Sequence, residues 1–281
     1  MSKFGVLVMG PAGAGKTTFS NAIIQHLQTT RRSCFYVNLD PAAETFAYEP
    51  DLDIRDLITL EDVMEEMGLG PNGGLIYCFE FLLQNLEFLS EALEPLSEEY
   101  LIIFDMPGQI ELYTHIPLLP TLTTFLSRQG PLNINITFVI DKAKFFAGTL
   151  SAMSAMLMME MPHVNILSKM DQVRDMVTRR ELKRFTNVDV QLLQEKEEDD
   201  LTAGANPMAA ESLMSGGSFK QLNRAVGQLI DDFSMVSFLQ LDVSDEDSVA
   251  AIVSHIDDAI QYHEAQEPRE PKDAVEVDYE D

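Results

Sequence analysis

The chain has 281 residues, 46% of them hydrophobic, and a formal net charge of -27, which allows one large α/β domain or two smaller ones around a substantial core. A balance this acidic repels phosphate backbones, so direct nucleic-acid binding is excluded as a main role and charged partners should be basic. The two cysteines, Cys34 and Cys78, lie in the apolar runs SCFYV and IYCFEF, the pattern of buried thiols in a reducing compartment and not of a disulfide framework.

The first expected strand, residues 4–9, passes straight into a glycine loop without a secretory layout, and the Met-Ser start does not suggest myristoylation. The loop reads Gly10-Pro-Ala-Gly13-Ala14-Gly15-Lys16-Thr17-Thr18, which matches G-x-x-x-x-G-K-[ST]. Its glycines let the backbone curl so that N–H groups face phosphate oxygens, and a helix expected at 16–28 adds its positive end. Lys16 should reach the β- and γ-phosphates, facing solvent when the site is empty, and the Thr17 hydroxyl should ligate Mg²⁺. A second strand, 33–38, ends in Asn-Leu-Asp40. Asp40 stands where a carboxylate can hold the metal's outer shell or accept a proton from water; capping the next turn is the plain alternative.

After a helix expected at 60–67 comes GLGPNGGL, residues 68–75, with four glycines and no charge. Connecting loops usually carry charge, and a bare Gly70-Pro71-Asn72 turn offers N–H groups and one amide to an electron-rich partner such as phosphate. The plain alternative is a turn leading into a helix at 75–93. A third strand, 100–104, closes on Asp105 and continues Met-Pro-Gly108-Gln109-Ile-Glu111. The strand end places a carboxylate on the metal side, Gly108 offers an N–H near the γ-phosphate, and Gln109 is an amide able to orient attacking water.

A helix at 110–127 carries His115, which has no metal-ligand spacing to other residues, and a strand at 133–140 follows. The helix expected at 148–161 contains LSAMSAMLMMEMP, too short to span a bilayer. Its stripe Ala152, Met156 and Met159 reads as core or interface, with an adaptable groove as the alternative. The strand at 164–167 leads to Ser168-Lys169-Met170-Asp171. There a carboxylate at Asp171 can accept from both the ring N–H and the exocyclic amine of guanine, and the stem of Lys169 can lie along the base. Further elements are expected as helices at 172–185, 219–232 and 246–262 and a strand at 236–241, with a loose insertion at 194–218 and an acidic tail at 264–281. Continuous apolar strands alternating with helices imply a doubly wound, mostly parallel sheet: a P-loop NTPase domain over residues 1–263 with a helical insertion and an acidic C-terminal tail. No basic run resembles a nuclear localisation signal, and the expectation is a soluble intracellular protein.

With P-loop, Asp-x-Pro-Gly-Gln, Ser-Lys-x-Asp and Gly-Pro-Asn in one chain, residues 3 to 263 resemble the GPN-loop GTPases, most of all the third eukaryotic paralogue type. The resemblance implies GTP and Mg²⁺ as bound groups and slow hydrolysis of GTP to GDP and phosphate. It gives Thr17, Asp40 and Asp105 to the metal; Asp40, Gln109 and Glu111 to the attacking water; and Ser168, Lys169 and Asp171 to guanine, with Ser168 where most GTPases carry Asn. Asn72 would reach a partner subunit's phosphate site. The partner would be another GPN-loop paralogue or a second copy of this chain. The biological role implied is assembly and nuclear import of RNA polymerase II from a cytoplasmic location with shuttling to the nucleus, without membrane or nucleic-acid contact. A P-loop kinase and a non-hydrolysing GTP-bound scaffold are the alternatives.

Overall fold

The run KFGVLVM forms β1 (Lys3–Met9), six of its seven residues buried, because a central parallel strand is covered by helices on both faces. The computed structural model describes residues 3–109, 112, 118–128, 132–141, 145–172, 185–186, 225, 228–230 and 236–265. Within them β1 is joined by β2 (Ser33–Asn38), β3 (Leu52–Asp53), β4 (Tyr100–Asp105), β5 (Leu132–Asp141), β6 (His163–Ser168) and β7 (Phe238–Gln240). The seven strands run in the order β3-β2-β4-β1-β5-β6-β7, and every pairing is parallel. The register sets Asn38 beside Asp105 and Asp141 beside Ser168. The strand-end groups of four strands therefore gather at one edge, where the order reverses and α/β proteins bind ligands.

The β1 alternation divides the core. Phe4, Val6 and Val8 face α1 (Lys16–Thr29) and α7 (Glu246–Ala259), whose Phe19, Ile23, Ile252 and Ile256 are buried with them. Leu7 and Met9 belong to the opposite layer, which includes residues of α3 (Pro71–Gln84), α4 (Glu87–Leu93), α5 (Leu118–Arg128) and α6 (Phe145–Met159). Ala152 and Met159 are buried in that layer with Met156 packed against it, so the methionine stripe is core.

Several boundaries differ from the sequence expectation. The helix expected at 75–93 is two: α3 starts at Pro71 and stops before Asn85, whose Nδ2 donates to the Phe81 carbonyl at 2.8 Å. β7 is three residues long. The two-residue β3 was not expected, since so short a pairing leaves no apolar run. Cys78 is buried as expected, but Cys34 is half exposed. A short helix, α8 (Tyr262–Ala265), continues past the expected domain limit. The expected helices at 172–185 and 219–232 lie largely, and the insertion at 194–218, His115 and the tail beyond Ala265 wholly, outside the described residues. Among the described residues no helix is long and apolar enough to cross a membrane.

Candidate functional site

Between β1 and α1 the loop passes through three left-handed glycines, Gly10 at φ 140°, Gly13 at 75° and Gly15 at 96°. A Cβ on Gly10 would lie 2.1 Å from the Val139 carbonyl oxygen, so only glycine lets the loop leave the sheet this close to β5. Gly15 is the N-cap of α1, contributes no side-chain cap, and the first turn holds no acid. The first-turn N–H groups of this helix, with its positive end, thus form a ready anion site. Ala14 departs from its expected place in the cradle: its N–H closes the loop by donating to the Pro11 carbonyl at 3.1 Å. Lys16 also departs from expectation. It is only 9% exposed, with Nζ folded over the loop 3.4 Å from the Pro11 carbonyl oxygen. Its positive charge acts on two carboxylates, Asp40 and Asp105, and opposes the rise that burial causes in each. Thr17 and Thr18 are exposed at the start of α1.

Asp105 ends β4 buried. Its Oδ2 accepts from the Tyr36 hydroxyl at 3.1 Å, while Oδ1 has no hydrogen-bond partner. Burial pushes its pKa up to about 6, against the opposing pull of the Thr17 hydroxyl, the Lys16 ammonium and Tyr36, with Asp40 adding repulsion. A buried carboxylate oxygen without a donor is costly unless something positive meets it. With Thr17 alongside, this donor set fits Mg²⁺, which binds through one or two protein oxygens plus substrate phosphates and water. The described residues contain no cluster of three or more His, Cys, Asp or Glu that would form an all-protein cage.

Asp40 is half-buried at the same edge. Its Oδ1 accepts from the Ala42 N–H at 3.0 Å, so the capping alternative is present in the geometry. Burial raises its pKa, against the bond from Ala42 and the charge of Lys16. Asn38 holds the Asp40 peptide from both sides: its Oδ1 accepts from the Asp40 N–H at 3.0 Å and its Nδ2 donates to the Asp40 carbonyl at 3.1 Å. The element after β4 crosses the P-loop so closely that a Cβ on Gly108 would lie 2.7 Å from Ala12 Cα. Gln109 is half-buried beside it, and Glu111 lies outside the described residues.

The base-side element is fastened to the P-loop. The Ser168 hydroxyl, 2% exposed, lies within reach of the carbonyls of Ala14 and Ile140 and shares its one hydrogen between them. Lys169, at φ 61°, donates from Nζ to the Gly13 carbonyl at 2.6 Å and to Asp141 Oδ2 at 3.1 Å. Asp171 is exposed on the following turn, Met170–Gln172, which the Met170 N–H joins to the Leu241 carbonyl at 3.1 Å.

The Gly-Pro-Asn tripeptide is not a turn ahead of a helix but the start of one. Gly70 is the N-cap of α3, Pro71 is in its first turn, and neither a cap side chain nor an acid satisfies that end. Proline fits there because its missing N–H would have had no partner and its φ is already helical. Asn72 is exposed in the first turn, next to Met67 and Leu69, which are 53% and 36% exposed. Sequence reading missed Tyr36, Asn38, Asp53, Arg55 and Asp141. Asp141 ends a strand as Asp105 does, and the same strand-end rule points to it.

Residues 8–262 match a family described as "conserved hypothetical ATP binding protein". The chain is 80% identical to a protein of Aspergillus fumigatus named GPN-loop GTPase 3, covering 100% of this chain and 99% of that one. It is 51% identical to a protein of Saccharomyces cerevisiae of the same name, covering 99% and 100%. A crystal structure of a GTPase in apo form from Pyrococcus abyssi superposes with a TM-score of 0.64 at 21% identity, covering 92% of this chain and 97% of that one, and agrees in fold.

Proposed function

Because this chain belongs to the GPN-loop GTPase family, we propose that one GTP lies across its strand ends, phosphates in the Gly10–Thr18 loop and guanine at Lys169 and Asp171. The protein binds GTP and hydrolyses it to GDP and phosphate. The observation that carries the site is the double tie of the base-side element to the P-loop, Ser168 at Ala14 and Lys169 at Gly13. A carboxylate at Asp171, on the turn that follows these ties, accepts from both the ring N–H and the exocyclic amine of guanine, a pair that adenine does not offer.

The residues divide the work by position. The first-turn N–H groups of α1 and the Lys16 ammonium meet the phosphates and the charge that develops during transfer. Gln109 and Glu111 orient the water, and Asp40 receives its proton. Thr17, Asp105 and Asp40 are the groups that would hold Mg²⁺, which when bound neutralises phosphate charge. Asn72, on a helix start without a side-chain cap, supplies an amide donor to the phosphate site of a second subunit, either another GPN-loop paralogue or another copy. The exposed Met67 and Leu69 beside it are suited to burial in that dimer. A cytoplasmic switch acting in assembly and nuclear import of RNA polymerase II rests on the family resemblance alone.

Competition of GTP and ATP for the site, followed by phosphate release with and without a nucleotide or polynucleotide acceptor, tests the reading. GTP should be preferred and release should not need an acceptor. Acceptor-dependent transfer would establish a kinase, and tight GTP binding without release a scaffold.

A further inference from the structure

The stretch after Asp40 is fastened at three points, and each leads to Asp53 and Arg55. Asp53 Oδ1 accepts from Asn38 Nδ2 at 2.8 Å, the same amide that grips the Asp40 peptide. Asp53 Oδ2 accepts from Arg55 Nε at 2.9 Å and Nη2 at 2.6 Å. The remaining Arg55 nitrogen, Nη1, donates to the Ala43 carbonyl at 2.9 Å, and the guanidinium lies 4.8 Å from the centre of the Phe46 ring. An isolated ion pair near the surface contributes little. This one is different in that a planar fork joins a strand end, a loop carbonyl and an aromatic ring at once.

The pair also lies at the head of the segment that leads to Asn72. From the Asp53-capped turn Ile54–Asp56 the chain enters α2 (Leu60–Met67), N-capped by Thr59. The Leu60 N–H donates back to the Pro41 carbonyl at 3.2 Å, in the same loop as Asp40. α2 then packs on the start of α3, where a Cβ on Gly74 would lie 2.8 Å from Leu60 Cδ1. Residues 40–46 are thus joined to the helix start that carries Asn72 by packed and hydrogen-bonded groups.

We infer that Asp53 and Arg55 form a positioning pair that fixes Asp40 for hydrolysis and couples the Asp40 loop to the α2–α3 element bearing Asn72. The inference rests on the proposed part of Asp40 in hydrolysis. Arg55 acts through the loop, so its loss should slow turnover and leave ground-state nucleotide binding, which is made by β1, α1 and β6, nearly intact.

The test uses the full chain in single-turnover GTP hydrolysis, fluorescent-GTP binding and amide hydrogen exchange. Arg55→Met should keep GTP affinity within about threefold and lower the hydrolysis rate about 10- to 100-fold, the cost of a small misplacement at a reacting centre. Amides of residues 40–46 and of the first turn of α3 should exchange faster. Adding Arg55→Met to Asp40→Asn should cost less than about twofold more, because both act at one point. Arg55→Lys keeps the charge but cannot hold Asp53 and Ala43 together, and its rate should fall between wild type and Arg55→Met; it also serves if Arg55→Met melts below the assay temperature. Unchanged rate and exchange in Arg55→Met, or full multiplication of the two losses, would overturn the coupling. Wild-type turnover in Asp40→Asn would instead overturn the role given to Asp40, while faster exchange in Arg55→Met would still uphold the pinning.

Discussion

Gly108 and Ala12 meet with no room for a methyl group between them: a Cβ on Gly108 would lie 2.7 Å from Ala12 Cα and 2.9 Å from Ala12 N. The clash is with backbone, so it cannot be relieved by a rotamer change. Gly108→Ala should push the element carrying Gln109 off the P-loop. Hydrolysis should fall about 10- to 100-fold, while GDP, which lacks the γ-phosphate near Gly108, should bind as before. Equal loss of GDP and GTP affinity would show a general collapse of the loop.

Asp105 gives a pH signature. Its pKa rises from the ordinary 3.8 to about 6 in the folded chain, chiefly through burial. Between these values the folded state holds a proton that the unfolded state has released, so stability declines as pH rises from about 4 to 6 and stays lower above. Asp105→Asn removes the buried charge. In nucleotide-free protein with chelator, the mutant should melt higher than wild type above pH 6, by the equivalent of about 3 kcal/mol at most. That advantage should vanish near pH 4. A mutant less stable than wild type at pH 8 would contradict the cost assigned to Asp105.

Asp171→Asn should weaken GTP and favour xanthosine triphosphate, whose ring carries a carbonyl where guanine has its amine. Each hydrogen bond to the charged acceptor contributes on the order of 1.5–3 kcal/mol, so GTP affinity should drop at least tenfold. Competition titration with GTP, ATP and xanthosine triphosphate measures it. An unchanged order of preference would move base recognition elsewhere.

Asn72→Ala should leave GTP affinity intact, because P-loop and base contacts come from the nucleotide's own subunit. Losing one donor aimed at developing charge typically slows reaction roughly 10²- to 10³-fold. Pairing this mutant with a partner lacking its own P-loop lysine leaves one nucleotide, bound here and served by the partner's intact asparagine; that dimer should turn over. Placing both changes on one subunit beside an intact partner spoils both sites, one by the lost lysine and the other by the lost asparagine, and that dimer should be silent. Near-normal hydrolysis by Asn72→Ala alone would rule out an amide acting in trans.

The strands that build the site were legible because central parallel strands are continuous apolar runs; β1, β2, β4, β5 and β6 all lie where such runs occur. The P-loop and Asp105 were legible for the same reason, as short motifs at strand ends. What escaped was set by tertiary contact. No local pattern says that Ser168 reaches the Ala14 carbonyl 154 residues away, or that Asn38 reaches Asp53. The Gly-Pro-Asn stretch misled differently. Its glycines lower helix propensity, but Pro71 fits a first turn and close packing of Gly74 on α2 prevails over the local preference.

The position of β1 has a consequence for how the chain is made. Its neighbours are β4 and β5, which begin at Tyr100 and Leu132, and one of its faces is closed in part by α7, which begins at Glu246. During synthesis at about 5–20 residues per second, β1 waits on the order of tens of seconds for α7, made more than 230 residues later, to cover it. Through that interval Phe4, Val6 and Val8 lack part of their native shelter, and the nascent chain is exposed to wrong partners. A central strand whose sheet neighbours all follow it in the chain depends on protection during translation more than one that pairs with strands made before it.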